Sequence, residues 1–320
     1  MTELDAAPDS GASERLTRSD IRTARRRLAG RIRKTPVLHT SVAGPNGPVP
    51  VTLKLEYLQH AGTFKVRGAL NAMLAADATE HVALASSGNS GIAAALAAAW
   101  LGKTCTVVVP ESAPHTKVAA MWSHGAEVLW FGTTYRDAEL HARELAAARG
   151  ALLLHAYDQS DLVAGSGVLG LELEEQVRGR PPVLAAVGGG ALVAGLAAAY
   201  GRRQRVIGVE PASRPALRAA LTAEAPVEVG PAPAGSDALG AGRVGHLALR
   251  LARRYDVPAL LVTDDAIATA REYLWREFRI VVEPAGAAAL AAVQSGAYVP
   301  AGGERPIVVL CGANTDTTGL

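Results

Sequence analysis

Between residues 81 and 156 the chain alternates short apolar runs with alanine-rich stretches of helical period. "HVALAS" reads as a strand, "SSGNSG" as a loop, and "IAAALAAAWLG" as a helix closed by Gly102. "TCTVVVP" is the next strand, "TKVAAMWSHG" a helix and "AEVLWF" a strand. "YRDAELHARELAAARG" is a helix ended by Gly150, and "ALLLHA" returns as a strand. A second series follows "GLELEEQVRGRPP". It runs strand "VLAAV", loop "GGGA", helix "LVAGLAAAYG" and strand "RVIGVEP". "PALLVTDDAIATAREYLWREF" then gives a strand and a helix, with Asp264 or Asp265 placed to cap it and Trp275 turned inward. "PIVVLCGAN" is the last strand. Repeated strand–helix–strand units of this kind predict an α/β fold, with mostly parallel sheets and helices on both faces. Two such series predict two lobes with a cleft between them. The Pro- and Gly-rich stretch "EAPVEVGPAPAGSDALGAGRVG" reads as an irregular crossing loop near that cleft. The polar start, residues 1–17, reads as a disordered tail.

Composition narrows the class. The 320 residues are 49% hydrophobic but only 4% aromatic, so alanine and aliphatic side chains must fill the core. A net charge of +2 with 19% charged residues gives no reason to expect nucleic acid or an anionic membrane as partner. No apolar run is long and charge-free enough to span a bilayer, and no signal peptide opens the chain. Cys105 and Cys311 make no disulfide framework, which fits a reducing, cytoplasmic location. The eight histidines form no zinc-type cluster. His115 and His124 read as surface or loop residues, and Cys105 as core.

Arginine does nearly all the cationic work. Lysine occurs only at positions 34, 54, 65, 103 and 117. Lys65 stands in "AGTFKVRGALNAM", between Phe64 and Val66. A lysine amine can lose its proton and act as nucleophile or base, which an arginine cannot. The two glycine turns, Ser86–Gly91 and Gly188–Leu192, each follow a strand and open a helix, a geometry that suits an anion. Neither fits the dinucleotide or P-loop pattern, and either alone serves equally as an ordinary tight turn.

Taken in order, Lys65 in "TFKVRGA", then "SSGNSG", "GGGAL", "VEPAGAAAL" and "CGAN" resemble the fold type II family of pyridoxal-phosphate enzymes. The resemblance is strongest to serine/threonine dehydratases and serine racemase, and covers about residues 20–316. It implies a two-lobed, tryptophan synthase β-like fold. The large cofactor-binding domain would take residues 18–56 and 156–320, and the small substrate-loop domain residues 57–155. It implies pyridoxal 5'-phosphate as cofactor, with Lys65 as Schiff-base lysine and Phe64 against the ring. Gly188, Gly189, Gly190, Ala191 and Leu192 would form the phosphate cradle, with Ala191 where the family usually has a fourth glycine. Ser86, Ser87, Asn89 and Ser90 would hold the substrate, Asn89 also lying near the cofactor. Glu283 would lie beside the cofactor. Cys311 would face the pyridine nitrogen as too weak an acid to keep it protonated, which favours elimination over transamination.

Two positions depart from close relatives in this resemblance: Ser90 stands where dehydratases and racemases commonly have histidine, and Ser87 stands where many dehydratases have alanine but serine racemase has a serine, its base on the opposite face of Cα. Ser87 therefore reads either as a catalytic base or as a carboxylate ligand. Glu210 matches a metal ligand of some relatives, but the acid expected six residues later is Ala216, so no metal is assigned. The chain ends shortly after "CGANTD", which leaves no room for the C-terminal regulatory domain of biosynthetic threonine dehydratases.

The reading is α,β-elimination of a β-hydroxy amino acid, L-threonine or L-serine foremost, to a 2-oxo acid and ammonia. Lys65 would take the Cα proton, and the hydroxyl would leave with a proton from the cofactor phosphate. The rival readings are an amino-acid racemase using Ser87 with Lys65, a β-replacement enzyme of the cysteine synthase kind, and a non-catalytic small-molecule binding protein. The partner is a small amino acid, and the resemblance adds a possible homodimer.

Overall fold

The structure, a computed structural model, describes residues 16–76, 79–230 and 237–316. Most of the expected N-terminal tail, residues 1–15, lies outside these. Its last two residues do not belong to a tail. Leu16 is buried in the core, and the Thr17 N–H donates to Asp20 at 2.8 Å at the head of helix α1, Arg18–Leu28.

Next comes a hairpin, β1 (Val37–Gly44) and β2 (Gly47–Lys54), then helix α2, Lys65–Ala75. The first alternating series follows: β3 (His81–Ala85), α3 (Asn89–Trp100), β4 (Thr104–Val109), α4 (His115–Ser123), β5 (Glu127–Trp130), α5 (Tyr135–Arg149) and β6 (Leu152–Leu153). Helix α6, Ser160–Gln176, leads into the second: β7 (Val183–Ala186), α7 (Ala191–Tyr200), β8 (Val206–Pro211), α8 (Ala216–Ala223), α9 (His246–Arg254) and β9 (Ala259–Val262). Helices α10 (Asp264–Phe278) and α11 (Pro284–Gln294) and strand β10 (Ile307–Val309) complete it.

The strands form two sheets, in the orders β1-β2-β10-β7-β8-β9 and β5-β4-β3-β6. Among the described residues every strand pair is parallel except β1–β2. Parallel strands covered by helices need apolar residues on both faces, and β7, β8 and β10 are buried at every position. Hairpin β1–β2 escaped the sequence reading because β2 carries Pro48 and Pro50, which cannot donate to a ladder. They are tolerated because β10 pairs only with Thr52–Lys54.

Three local expectations are corrected. Thr263, not Asp264 or Asp265, caps α10, its hydroxyl accepting from the Ala266 N–H at 3.1 Å. Trp275 is not inward: Ile267, Ala270 and Leu274 form the buried stripe of α10, which leaves the next residue outside. Arg279 lies over its ring, 5.6 Å from the centroid. In the expected crossing loop, residues 231–236 lie outside the described residues. The flanks are tied by Val229 N–H to Gly242 O at 2.8 Å and by Arg214 to Ala241 O at 3.0 Å.

Two features seat α2. Gly68 faces α6 so closely that a Cβ would lie 2.6 Å from Leu162 O, and a Cβ on Gly165 would lie 2.3 Å from Arg67 O. Beside this contact runs a buried ion cluster. Arg67 binds both Glu56 oxygens, at 2.6 and 2.9 Å, and Glu172 at 2.9 Å; Lys54 meets Glu172 at 2.5 Å. Burial holds the Lys54 amine below its ordinary value, against the pull of Glu172. Such a cluster costs desolvation but fixes geometry, and here it sits two residues from Lys65.

Candidate active site

Lys65 is the first residue of α2, and the chain before it is stitched to the end of β10. The Phe64 N–H donates to Cys311 O at 3.1 Å, Thr63 bridges Gly312, and the Ala313 N–H donates to Gly62 O at 2.9 Å. Lys65 and Cys311, far apart in sequence, therefore open on one cleft. The Lys65 amine donates to Ser90 Oγ at 2.7 Å, and the Ser90 hydroxyl donates to Ala156 O at 3.0 Å. Ser90, where the resemblance led to the expectation of a histidine, is thus bonded to the lysine itself, a contact that no local pattern announces.

The "SSGNSG" turn folds around Ser86, whose hydroxyl oxygen accepts from the Gly91 N–H at 2.8 Å and the Gly88 N–H at 3.2 Å. Asn89 is buried. Its amide donates to Glu283 Oε1 at 2.5 Å, and its oxygen accepts from Asn314 Nδ2 at 2.9 Å. Glu283 Oε2 accepts from Lys117 Nζ at 3.0 Å. Glu283 precedes α11, which Pro284 opens, but its carboxylate is turned to this network and does not cap the helix. Sequence reasoning missed Lys117 and Asn314. The signal for Lys117 was its rarity, one of five lysines, beside the apolar Val118 on α4.

The "GGGAL" turn joins β7 to α7. Gly190 has φ +91°, the left-handed region open to glycine, whereas Ala191 is helical as the first residue of α7, so its methyl is unstrained. A Cβ at Gly189 would fall 2.0–2.4 Å from the ring of Tyr157. The turn is therefore bare backbone at a helix N-terminus, with an aromatic ring laid against it.

These residues surround a cleft of about 690 Å³ of atom-free space, open solvent at its mouth included. Phe64, Lys65, Asn89, Ser90, Gly188–Leu192, Glu283 and Cys311 all line it. Ser86 and Ser87 are not among the lining residues: Ser86 is buried within its own turn and Ser87 is exposed. Burial pushes the Cys311 thiol well above its usual range, and its Sγ donates to Ala285 O at 3.3 Å. Cys105 is core as expected, its thiol raised by burial to about 12. His155, another lining residue, is held below its ordinary pKa by burial, and its Nδ1 accepts from the Asp158 N–H at 2.9 Å.

Glu210 is fully buried and accepts the Leu217 and Arg218 N–H groups at 2.6 and 2.9 Å, so it caps α8. Among the described residues, no group of three or more His, Cys, Asp or Glu side chains is placed to hold a metal ion. No helix among them is long and apolar enough to cross a membrane.

The site fits a phosphorylated pyridine aldehyde. It offers a primary amine to the aldehyde, glycine backbone at a helix N-terminus to the phosphate, and an uncharged thiol at a strand end to a ring nitrogen. The comparisons agree. Residues 28–312 match the family described as pyridoxal-phosphate dependent enzyme, and the chain belongs to it. Its cofactor is pyridoxal 5'-phosphate. The chain is 33% identical over 302 residues to L-threonine ammonia-lyase of Geobacter sulfurreducens, covering 92% of this chain and 75% of that protein. It is 33% identical over 326 residues to phenylserine dehydratase of Ralstonia pickettii, covering 99% and 97%. Among solved structures, maize serine racemase superposes with a TM-score of 0.87 at 28% identity, covering 94% of each chain. The expected α/β fold of type II is thus the observed one.

Proposed function

We propose that the protein is a lyase that removes water and then ammonia from a β-hydroxy amino acid, L-threonine or L-serine foremost, leaving a 2-oxo acid. The relatives named ammonia-lyase and dehydratase support this reading. What supports it over racemisation is that Lys65 lines the cleft, whereas Ser87 is solvent-exposed. One proton-moving group suffices for elimination, while inversion at Cα needs a group on each face.

When bound, the cofactor supplies an aldehyde and a conjugated ring that accepts the electron pair left at Cα. The chain's own residues do the rest. Lys65 moves the Cα proton, with Ser90 Oγ holding its amine on the Ala156 side of the cleft. The N-terminal turn of α3, with Asn89 oriented by Glu283 and Asn314, receives the substrate carboxylate. The Gly188–Leu192 turn holds the phosphate, and the neutral Cys311 leaves the ring nitrogen without an acidic partner. We read the two sheets as the cores of two lobes, residues 18–56 with 156–320 and residues 57–155, that meet at this cleft.

The test is to incubate the purified holoenzyme with L-threonine or L-serine and assay 2-oxo acid, ammonia and the D-isomer. Equal amounts of 2-oxo acid and ammonia, with no D-isomer and none of it in Lys65→Ala, are expected. D-serine without 2-oxo acid would replace this reading by racemisation. A thioether formed from added thiol would replace it by β-replacement.

A further inference from the structure

We infer that Arg214 is a positioning residue of the cofactor site: it spans two backbone carbonyls and thereby holds residues 238–245 as a wall against the glycine turn that takes the phosphate. This rests on the placing of the phosphate in that turn, proposed above. The wall runs along the whole turn. A Cβ on Gly188 would run into Ala238 O, the Gly245 N–H donates to Gly189 O at 3.1 Å, and a Cβ on Gly190 would lie 2.9 Å from Val244 Cγ2. Ala238 and Leu239, in the short 3-10 turn Asp237–Leu239, also line the cleft. Residues 240–245 belong to no helix or strand, so other bonds must fix their place.

Arg214 supplies them. It stands between β8 and α8 with its backbone fixed, its N–H donating to Pro211 O at 3.0 Å and its carbonyl accepting from the Ala216 N–H at 3.1 Å. The residue is buried, only 7% exposed. Its Nε donates to Ala241 O at 3.0 Å and its Nη1 to Gly230 O, so one guanidinium joins both sides of the crossing loop. The Val229 N–H, donating to Gly242 O at 2.8 Å, closes the same neck. A buried charge is tolerated where its donors are used, and a planar fork holds donors in fixed directions that the point charge of an ammonium cannot match. Without the fork the wall would stand in place only part of the time, and cofactor affinity would fall by that fraction. One hydrogen bond from a charged group corresponds to about tenfold in such an equilibrium.

The test titrates the full chain, stripped of cofactor, with pyridoxal 5'-phosphate and with pyridoxal, which lacks the phosphate, and reads absorbance. Wild type should bind the phosphorylated form more tightly. Arg214→Met should weaken binding of pyridoxal 5'-phosphate about tenfold and that of pyridoxal much less, so the gap between them narrows. Arg214→Lys, which keeps the charge but not the fork, should lose affinity in the same way, and it serves if a thermal melt shows that Arg214→Met does not fold. Arg218→Met removes a comparable guanidinium bond, to Ala259 O at 3.0 Å on β9, and should leave both affinities unchanged. Unchanged affinity in a folded Arg214→Met, wild-type affinity in Arg214→Lys, or equal loss for the two ligands overturns the inference. A matching loss in Arg218→Met overturns it too, because the effect would then be general loosening of the fold. A wild type that binds both ligands equally removes instead the placing of the phosphate on which the inference rests.

Discussion

Replacing Glu210 by glutamine should flatten the pH dependence of stability. Glu210 is fully buried at the end of β8, and burial raises its carboxyl from 4.5 to about 7. The Leu217 and Arg218 N–H groups and the Arg218 charge oppose this without cancelling it. In the unfolded chain the carboxyl ionises near its ordinary value, so between these pH values the folded protein binds the proton and the unfolded chain has lost it. The contribution is therefore full below pH 4.5 and is lost as pH rises towards 7. At about 1.4 kcal/mol per pKa unit, the loss between pH 5 and 8 is about 2.5 kcal/mol. Reversible denaturant unfolding at both pH values, on wild type and Glu210→Gln, measures it. Wild type should lose about 2.5 kcal/mol more than the variant. Treatment with EDTA should not alter the difference, because both oxygens of Glu210 face backbone N–H groups of α8. The same pH slope in both proteins, or a wild type that gains on the variant as pH rises, would refute the reasoning.

Arg67→Met should destabilise the fold by about 3–5 kcal/mol, read as a shifted denaturant midpoint, because it removes the guanidinium shared by the buried Glu56 and Glu172. Gly189→Ala should weaken binding of pyridoxal 5'-phosphate about tenfold in an absorbance titration, since its Cβ would press into the Tyr157 ring; Tyr157→Ala in the same chain should restore most of it. Lys117→Met should lower kcat/KM about tenfold through KM, because it removes the cation that holds the buried Glu283 against Asn89; an unchanged KM would take Lys117 out of substrate binding.

The strands β3, β4, β7 and β8 were legible because a parallel strand buried on both faces must be a continuous apolar run, and that is a local property. The helices behind them were legible for the same reason, from alanine-rich segments ended by glycine. Lys65 stood out chemically, a lysine kept in a chain that otherwise prefers arginine. Hairpin β1–β2 was hidden because its prolines are tolerated only by the limited reach of β10. Trp275 was misplaced because one residue along a helix turns a side chain by about 100°, and only the packed neighbours say which side is in.

By itself, then, the sequence determined the class of fold and the order of its motifs, since burial on both faces makes each strand a continuous apolar run and sets it apart from the alanine-rich helical segments that follow. The tertiary structure alone decided which polar groups meet. Asn89 and Glu283 are 194 residues apart, Lys117 and Glu283 are 166 apart, and Lys65 finds Ser90 across two helices. No local period records such pairs, because they arise where separate strand ends and helix starts are brought to one cleft and a buried polar group must take the partner it finds there.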